Sequence, residues 1–236
     1  MMLRSHSFFI ALLLTLFNGT AFAQTRAEAA EKRVKPALVS ALGEKNLDYG
    51  KPVFIRIFKA EKTLELWVKH KARFTLFKAY PICTYSGRLG PKTRQGDGQS
   101  PEGFYRVGLA QLNPASRYHL SFNLGYPNNY DRAHQRTGDF LMVHGNCVSI
   151  GCYAMGDAAI EEIYTLMEAA LRAGQSHVDV HIFPFRFDST NIHWQDSEWR
   201  SFWNDLKAGF DAFNENKKPP MISVVNKRYV IRDNQQ

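Results

Sequence analysis

Beginning at Pro52, the apolar residues of this chain fall into a period of two. Val53, Ile55 and Ile57 alternate with Phe54, Arg56 and Phe58, and Leu64, Leu66 and Val68 alternate with Glu65 and Trp67. Successive side chains on an extended chain point to opposite faces, so the pattern predicts short antiparallel strands joined by hairpins. It returns at Val178, Val180 and Ile182, closed by Pro184. Between these runs, residues 86–103 hold five of the 16 glycines and two of the 10 prolines, which predicts a long structured loop of the kind that often carries function. A fourth apolar strand is expected over residues 140–143, running into a turn at 144–152 that contains Gly145 and Gly151. A helix follows, with Asp157 as N-cap and Ile160, Ile163, Tyr164, Met167, Ala170 and Leu171 at helical spacing until Gly174. The fold class is therefore α+β, mostly β with flanking helices.

The flanks give the organisation. Arg4, the largely apolar run from Phe8 to Phe17 and Ala21-Phe22-Ala23 before Gln24 read as a signal peptide over residues 1–23. The run is far shorter than the roughly 20 residues a membrane span needs, and no later stretch is long and apolar enough, so no transmembrane span is expected after cleavage. Such a chain is exported, and the periplasm is its expected location. Residues 24–50 read as a helical lead-in, containing Pro36, whose Leu38, Leu42 and Leu47 lie against the main domain at 51–185. Residues 186–236 supply a covering helix with Trp199, Phe202, Leu206, Phe210 and Phe213 on one stripe, and a late strand from Ile222 to Ile231. With 44% apolar and 22% charged residues, a disordered chain is excluded.

The formal charge is +8, and residues 51–106 carry twelve Lys+Arg against four acids. Most of these cations are expected to solvate strand faces. No nucleic-acid partner is expected, because the excess is modest, the chain is exported and no recognition motif is present. Lys92 and Arg94 differ, since they sit on the Gly-rich loop where a substrate carboxylate can meet them. Asn113, Tyr118 and Tyr126 are loop residues expected to line the same groove, with a packed turn as the alternative for Tyr126.

Reactive chemistry points to the turn. A cysteine is a useful nucleophile only as thiolate, which needs a base or a positive local potential, and a histidine at the end of a neighbouring strand supplies one. His144 and Cys152 are that pair. Gly145 and Gly151 let backbone amides approach a reacting carbon, and a helix starting just after Cys152 would turn its N-terminal amides toward the same place. Three other readings stay open: zinc held by His144, Cys147 and Cys152 with a fourth ligand such as Cys83; a disulfide between Cys147 and Cys152, or between either and Cys83; or Cys152 as a small buried residue. Catalysis by Cys152 is compatible with the Cys83–Cys147 pairing, which leaves that thiol free.

Leu89-Gly90-Pro91-Lys92, Gly96-Asp97, Ser100-Pro101-Glu102-Gly103-Phe104-Tyr105, Leu112-Asn113-Pro114, Gly125-Tyr126-Pro127-Asn128 and His144-Gly145-x-Cys147-x-Ser149-x-Gly151-Cys152 resemble, in order and spacing, the YkuD-type L,D-transpeptidase catalytic domain, in particular its YafK-like branch. The resemblance implies a mostly β catalytic domain with two sheets and a helix beside the active turn. It implies Cys152 as nucleophile, His144 as general base, the Gly145 carbonyl orienting the imidazole, and amides around Gly151 and Cys152 as oxyanion hole, with Ser149 among the substrate-binding residues. No metal and no cofactor are implied. The partners implied are peptidoglycan stem peptides, attacked at the carbonyl of the third residue, commonly diaminopimelate. An amine then gives a crosslink and water gives hydrolysis. The wider family carries histidine where this chain has Ile150, and Arg or Asn where it has Ala154, departures that fit a changed leaving group. The branch is associated with hydrolytic release of the outer-membrane lipoprotein from peptidoglycan. The alternatives are crosslinking or lipoprotein attachment, and a non-catalytic wall-binding module.

Overall fold

The computed structural model describes residues 24–188 and 194–232, so the signal peptide expected at 1–23 lies outside the described residues. The described chain begins with α1 (Arg26–Gly43), closed at its start by a reciprocal cap. Thr25 Oγ1 accepts the Glu28 N–H at 3.2 Å, and the Glu28 carboxylate accepts the Thr25 N–H at 2.7 Å. The period-two segments form β1 (Val53–Phe58), β2 (Thr63–His70) and β3 (Arg73–Pro81), an antiparallel meander. Next come β4 (Thr84–Tyr85), the Gly-rich loop, β5 (Gly103–Val107), β6 (Leu112–Asn113), β7 (Ser121–Asn123) and the single turn α2 (Asn129–Ala133). After them run β8 (Met142–His144), β9 (Tyr153–Ala154), α3 (Asp157–Arg172), β10 (Val178–Phe183), α4 (Arg200–Asn216), β11 (Met221–Val225) and β12 (Arg228–Arg232).

These strands make a five-stranded sheet in the order β3-β2-β1-β10-β5, a second five-stranded sheet in the order β4-β9-β8-β7-β6, and a separate β11-β12 hairpin. The first sheet is covered on both faces. Val53, Ile55 and Ile57 share a core with Leu38 and Leu42 of α1, Ile160, Ile163 and Met167 of α3, and Phe122 and Val143 of the second sheet. Phe58 and Phe183 face the other way, into a smaller core with Leu206 and Phe210 of α4. Arg56 points into the same layer. Its guanidinium lies 4.4 Å from the Phe210 ring and 4.9 Å from the Phe58 ring, and it donates to Asn214 Oδ1 at 2.8 Å. Burial lowers its pKa to about 10, so this cation does not solvate a strand face.

Three elements differ from the sequence expectation. The strand expected from residue 140 begins at Met142, because Phe140 takes a left-handed φ of 50° and is 69% exposed. The helix expected with Asp157 as N-cap starts one residue earlier, with Gly156 (φ 77°) as N-cap and Asp157 as its first residue, and β9 separates it from Cys152. Its first turn therefore meets Asn146 and not the thiol: Gly156 N–H donates to the Asn146 carbonyl at 2.8 Å, and the Asp157 carboxylate accepts the Asn146 N–H at 2.7 Å. The late strand is a hairpin that turns at Asn226 (φ 48°) and Lys227 (φ 62°), the paired left-handed residues that a two-residue hairpin turn requires.

The Gly-rich loop is held by a charge buried beneath it. Lys59 Nζ is enclosed and donates to the carbonyls of Arg88 (2.8 Å), Gly90 (2.9 Å) and Ser100 (3.1 Å), with Glu102 Oε1 at 3.1 Å. Both members of that ion pair have fully buried side chains. Glu102 is satisfied in turn by Gly90 N–H at 2.7 Å and Trp203 Nε1–H at 2.8 Å. Removing one partner of a buried pair strands the other's charge, which costs about 3–5 kcal/mol. Glu102→Ala is therefore expected to lower the thermal midpoint by on the order of 10 °C, as read by circular dichroism; a shift of only a degree or two would refute the clamp.

Candidate active site

Cys152 and His144 are brought together by one pairing of strands. β8 and β9 run parallel, with Val143 opposite Tyr153 and His144 opposite Ala154. Cys152, just before β9, then falls beside Met142, whose N–H donates to its Sγ at 3.4 Å. His144 and Cys152 are thus diagonal neighbours across adjacent strands, a relation that puts their Cα atoms about 8 Å apart. Ala154, opposite the histidine, is fully buried.

The return from β8 to β9 occupies only residues 145–152, and each part of it is anchored. A Cβ at Gly145 would lie 2.6 Å from Asp157 Oδ1 and 2.8 Å from the Tyr118 carbonyl, so only glycine fits there. Cys147 is joined to Cys83 in a disulfide with Cα atoms 5.5 Å apart, and Cys152 is the free cysteine. That bond removes Cys147 from the zinc trio considered above. Ser149 Oγ donates to the Cys152 carbonyl at 2.7 Å and accepts from Gly151 N–H at 3.1 Å and Ser86 Oγ–H at 2.9 Å. A second hydroxyl, Ser100 Oγ, donates to the same Cys152 carbonyl at 3.1 Å. Gly151 takes φ 141°, which a side chain would disfavour.

Burial biases both groups toward their neutral forms. Burial raises the Cys152 thiol, with the Met142 N–H and Lys92 pulling the other way. Burial lowers the His144 imidazole, opposed by its bond to the Gly145 carbonyl. That bond, 2.5 Å from His144 Nδ1, fixes the tautomer: a carbonyl only accepts, so Nδ1 carries the proton and Nε2 keeps its lone pair. The Tyr118 ring stacks on the imidazole, centroids 4.6 Å apart and planes at 27°. Burial of both groups favours a neutral thiol beside a neutral imidazole over a thiolate–imidazolium pair.

The site opens into a cavity of about 810 Å³ lined by Cys152, His144, Gly151, Lys92, Asn113 and Tyr118, and also by Arg117, Asp139, Phe140 and Ile150. Lys92 is buried, its ammonium on Asp97 Oδ1 at 2.5 Å and the Arg94 carbonyl at 2.9 Å. Three residues expected at substrate are elsewhere. The Arg94 side chain is exposed outside the cavity lining. Tyr126 is a packed turn residue whose hydroxyl donates to the Lys92 carbonyl at 3.2 Å. Ser149 has its donor and both acceptor sites engaged inside the turn. The Gly151 N–H, expected in an oxyanion hole, is likewise taken up by Ser149. Sequence reasoning did not single out Arg117 or Asp139, which carry no motif or periodicity, and read Phe140 only as the start of a strand; all three reach the cavity through loop packing.

A strand-borne histidine and a free cysteine thus line one cavity on a two-sheet scaffold. The family model for the L,D-transpeptidase catalytic domain, YkuD, matches residues 52–182, and the chain belongs to that family. It is 52% identical to YafK of Escherichia coli (strain K12) over 183 residues, 77% of this chain and 74% of that protein. Among solved structures, the helical cell shape determining protein Pgp2 of Campylobacter jejuni, in its K307A form, aligns with 78% of this chain at 21% identity and a TM-score of 0.47, and the alignment spans 64% of that chain. Bd1075 of Bdellovibrio bacteriovorus aligns with 70% of this chain at 19% identity and a TM-score of 0.41, spanning 58% of that chain.

Because a methyl at residue 145 would collide with backbone and a capping carboxylate, Gly145→Ala should lose about 1–3 kcal/mol of stability and displace the carbonyl that holds His144. Thermal melting together with iodoacetamide labelling of Cys152 checks this: unchanged melting and labelling would contradict the close packing described.

Proposed function

We propose that this protein is an exported peptidoglycan enzyme that forms a thioester between Cys152 and the carbonyl of the third stem residue, a diaminopimelate, and hydrolyses it, releasing outer-membrane lipoprotein from the wall. The observation that carries the reading is the free Cys152 thiol on the cavity wall beside an imidazole whose basic Nε2 is set by the Gly145 carbonyl. Export rests on the expected signal peptide and suits the disulfide. The domain division proposed is the signal peptide at 1–23, the lead-in at 24–50, the catalytic domain at 51–185 and the C-terminal helix and strands at 186–236.

In the reaction, His144 Nε2 takes the thiol proton as Sγ attacks the scissile carbonyl carbon. The oxyanion is received by backbone N–H groups at the end of the turn, with the Cys152 N–H foremost, in a residue that two serine hydroxyls hold in place through its carbonyl. Collapse expels the amine, which takes the proton from Nε2 and leaves the thioester. Water then attacks, Nε2 takes its proton, the acid is released and the sulfur is reprotonated. With an amine in place of water the same steps give a crosslink. Hydrolysis is preferred because the position two residues past the thiol holds buried Ala154 and no cation for the usual partner.

Two measurements test this. Mass spectrometry of muropeptides from sacculi treated with the purified protein should show loss of the lipoprotein remnant, abolished by Cys152→Ala; new stem-to-stem crosslinks without such loss would assign the protein to crosslinking. Second, since burial lowers the imidazole, the acid limb of thiol labelling by a carbapenem or iodoacetamide should lie below pH 6.5. In His144→Ala it should move above pH 9.0, where the buried thiol ionises unaided. A profile insensitive to His144 would remove the general base.

A further inference from the structure

The cavity around Cys152 is lined by three side chains of formal charge, Lys92, Arg117 and Asp139. They are not equivalent. Lys92 is buried, and its ammonium is neutralised by Asp97 and by the Arg94 carbonyl. Ala154, two residues past the thiol, contributes no charge. Arg117 and Asp139 are exposed, and neither makes a hydrogen bond or ion pair with any described residue. The cavity therefore presents one uncommitted cation and one uncommitted anion.

The chain neighbours of both touch the candidate pair. Arg117 lies in the β6–β7 loop, one residue before Tyr118, whose ring stacks on His144. That loop is held from outside by Arg26, whose Nη1 donates to the carbonyls of Ser116 at 2.6 Å and His119 at 2.5 Å, and from within by Tyr118 N–H on Ser116 Oγ at 3.1 Å. Arg117 is thus carried on a fixed segment, which limits the entropy lost on engaging a ligand. Asp139 lies one residue before Phe140, whose carbonyl is 3.8 Å from Cys152 Sγ. The segment that carries the cation thus passes the imidazole, and the segment that carries the anion passes the thiol.

We infer that Arg117 and Asp139 form a subsite for a zwitterionic side-chain terminus, with the guanidinium on its carboxylate and the Asp139 carboxylate on its ammonium. Resting on the acyl-transfer reading above, this makes the distal end of diaminopimelate the group recognised, so a stem with lysine or a distal carboxamide at the third position lacks the anion that Arg117 needs. A charge-assisted hydrogen bond of this kind discriminates by about 10- to 100-fold.

Binding to full-length Cys152→Ala protein, which cannot turn substrate over, tests the subsite apart from the chemistry. Titration calorimetry would compare soluble stems ending in diaminopimelate, its distal carboxamide, its distal N-acetyl derivative, or lysine. The diaminopimelate stem should bind about 10- to 100-fold tighter than the other three. Adding Arg117→Gln should erase the preference over the carboxamide and lysine stems while sparing that over the N-acetyl stem, and Asp139→Asn should do the reverse. Both side chains are exposed and unpartnered, so the fold should be retained. Equal affinity for all four stems, or an Arg117→Gln loss of the same size for each, overturns the subsite. Lipoprotein release that persists in Cys152→Ala would instead overturn the thioester reading, whatever the binding order.

Discussion

Two parallel strands joined by eight residues are the constraint on which this site depends. Parallel neighbours are ordinarily linked by a dozen or more residues, but β8 and β9 are three and two residues long, and the chain needs only to turn back on itself to start the second beside the first. That return places Cys152 next to Met142 and diagonal to His144. It also sets the conditions on the connecting segment: no side chain at 145, a positive φ at 151, and every polar group of the turn satisfied within a small volume.

The order imposed on that segment is passed inward through buried charge. Lys59 and Glu102 have no solvent contact and hold the carbonyls and an amide of the Gly-rich loop. Ser100 stands on that loop and binds the Cys152 carbonyl from one side, while Ser149 binds it from within the turn. The pair is a hydrogen-bonded anchor more than a source of net stability, since desolvating two charges offsets much of their attraction. It fixes one geometry for a loop that its glycines would otherwise leave loose. The Cys83–Cys147 disulfide adds a covalent tie from the same turn to the segment between β3 and β4.

Much of the fold was legible in the sequence because its signals are local. The period-two runs at 53–58, 63–70 and 178–183 are strands, and the stripes beginning at Ile160 and Phe202 are helices, since an apolar face at the matching period has no other stable use. Boundaries were less legible where a residue adopts a left-handed conformation, as at Phe140 and at the Asn226-Lys227 turn. The candidate site was partly legible: the order of His144, Gly145, Gly151 and Cys152 marks the turn that lines the cavity, but Arg94, Tyr126 and Ser149 look like ligand residues by type and are turned elsewhere by packing. Arg117 and Asp139 have the converse property, being ordinary surface charges until the loops that carry them converge.

What the sequence alone determined is the set of pieces whose reasons lie within a few residues: the alternating strands, the amphipathic helices, a cysteine directly after a glycine, and a histidine eight positions before it. What only the tertiary structure decided is which partners those pieces meet. The Gly145 carbonyl selects a tautomer, two hydroxyls from separate loops seize one peptide carbonyl, Lys92 is claimed by Asp97, and α3 aims its first turn at Asn146 instead of at the sulfur. Each depends on contacts between segments set side by side by sheet register, and register is settled by the whole packed core and not by any short stretch of chain.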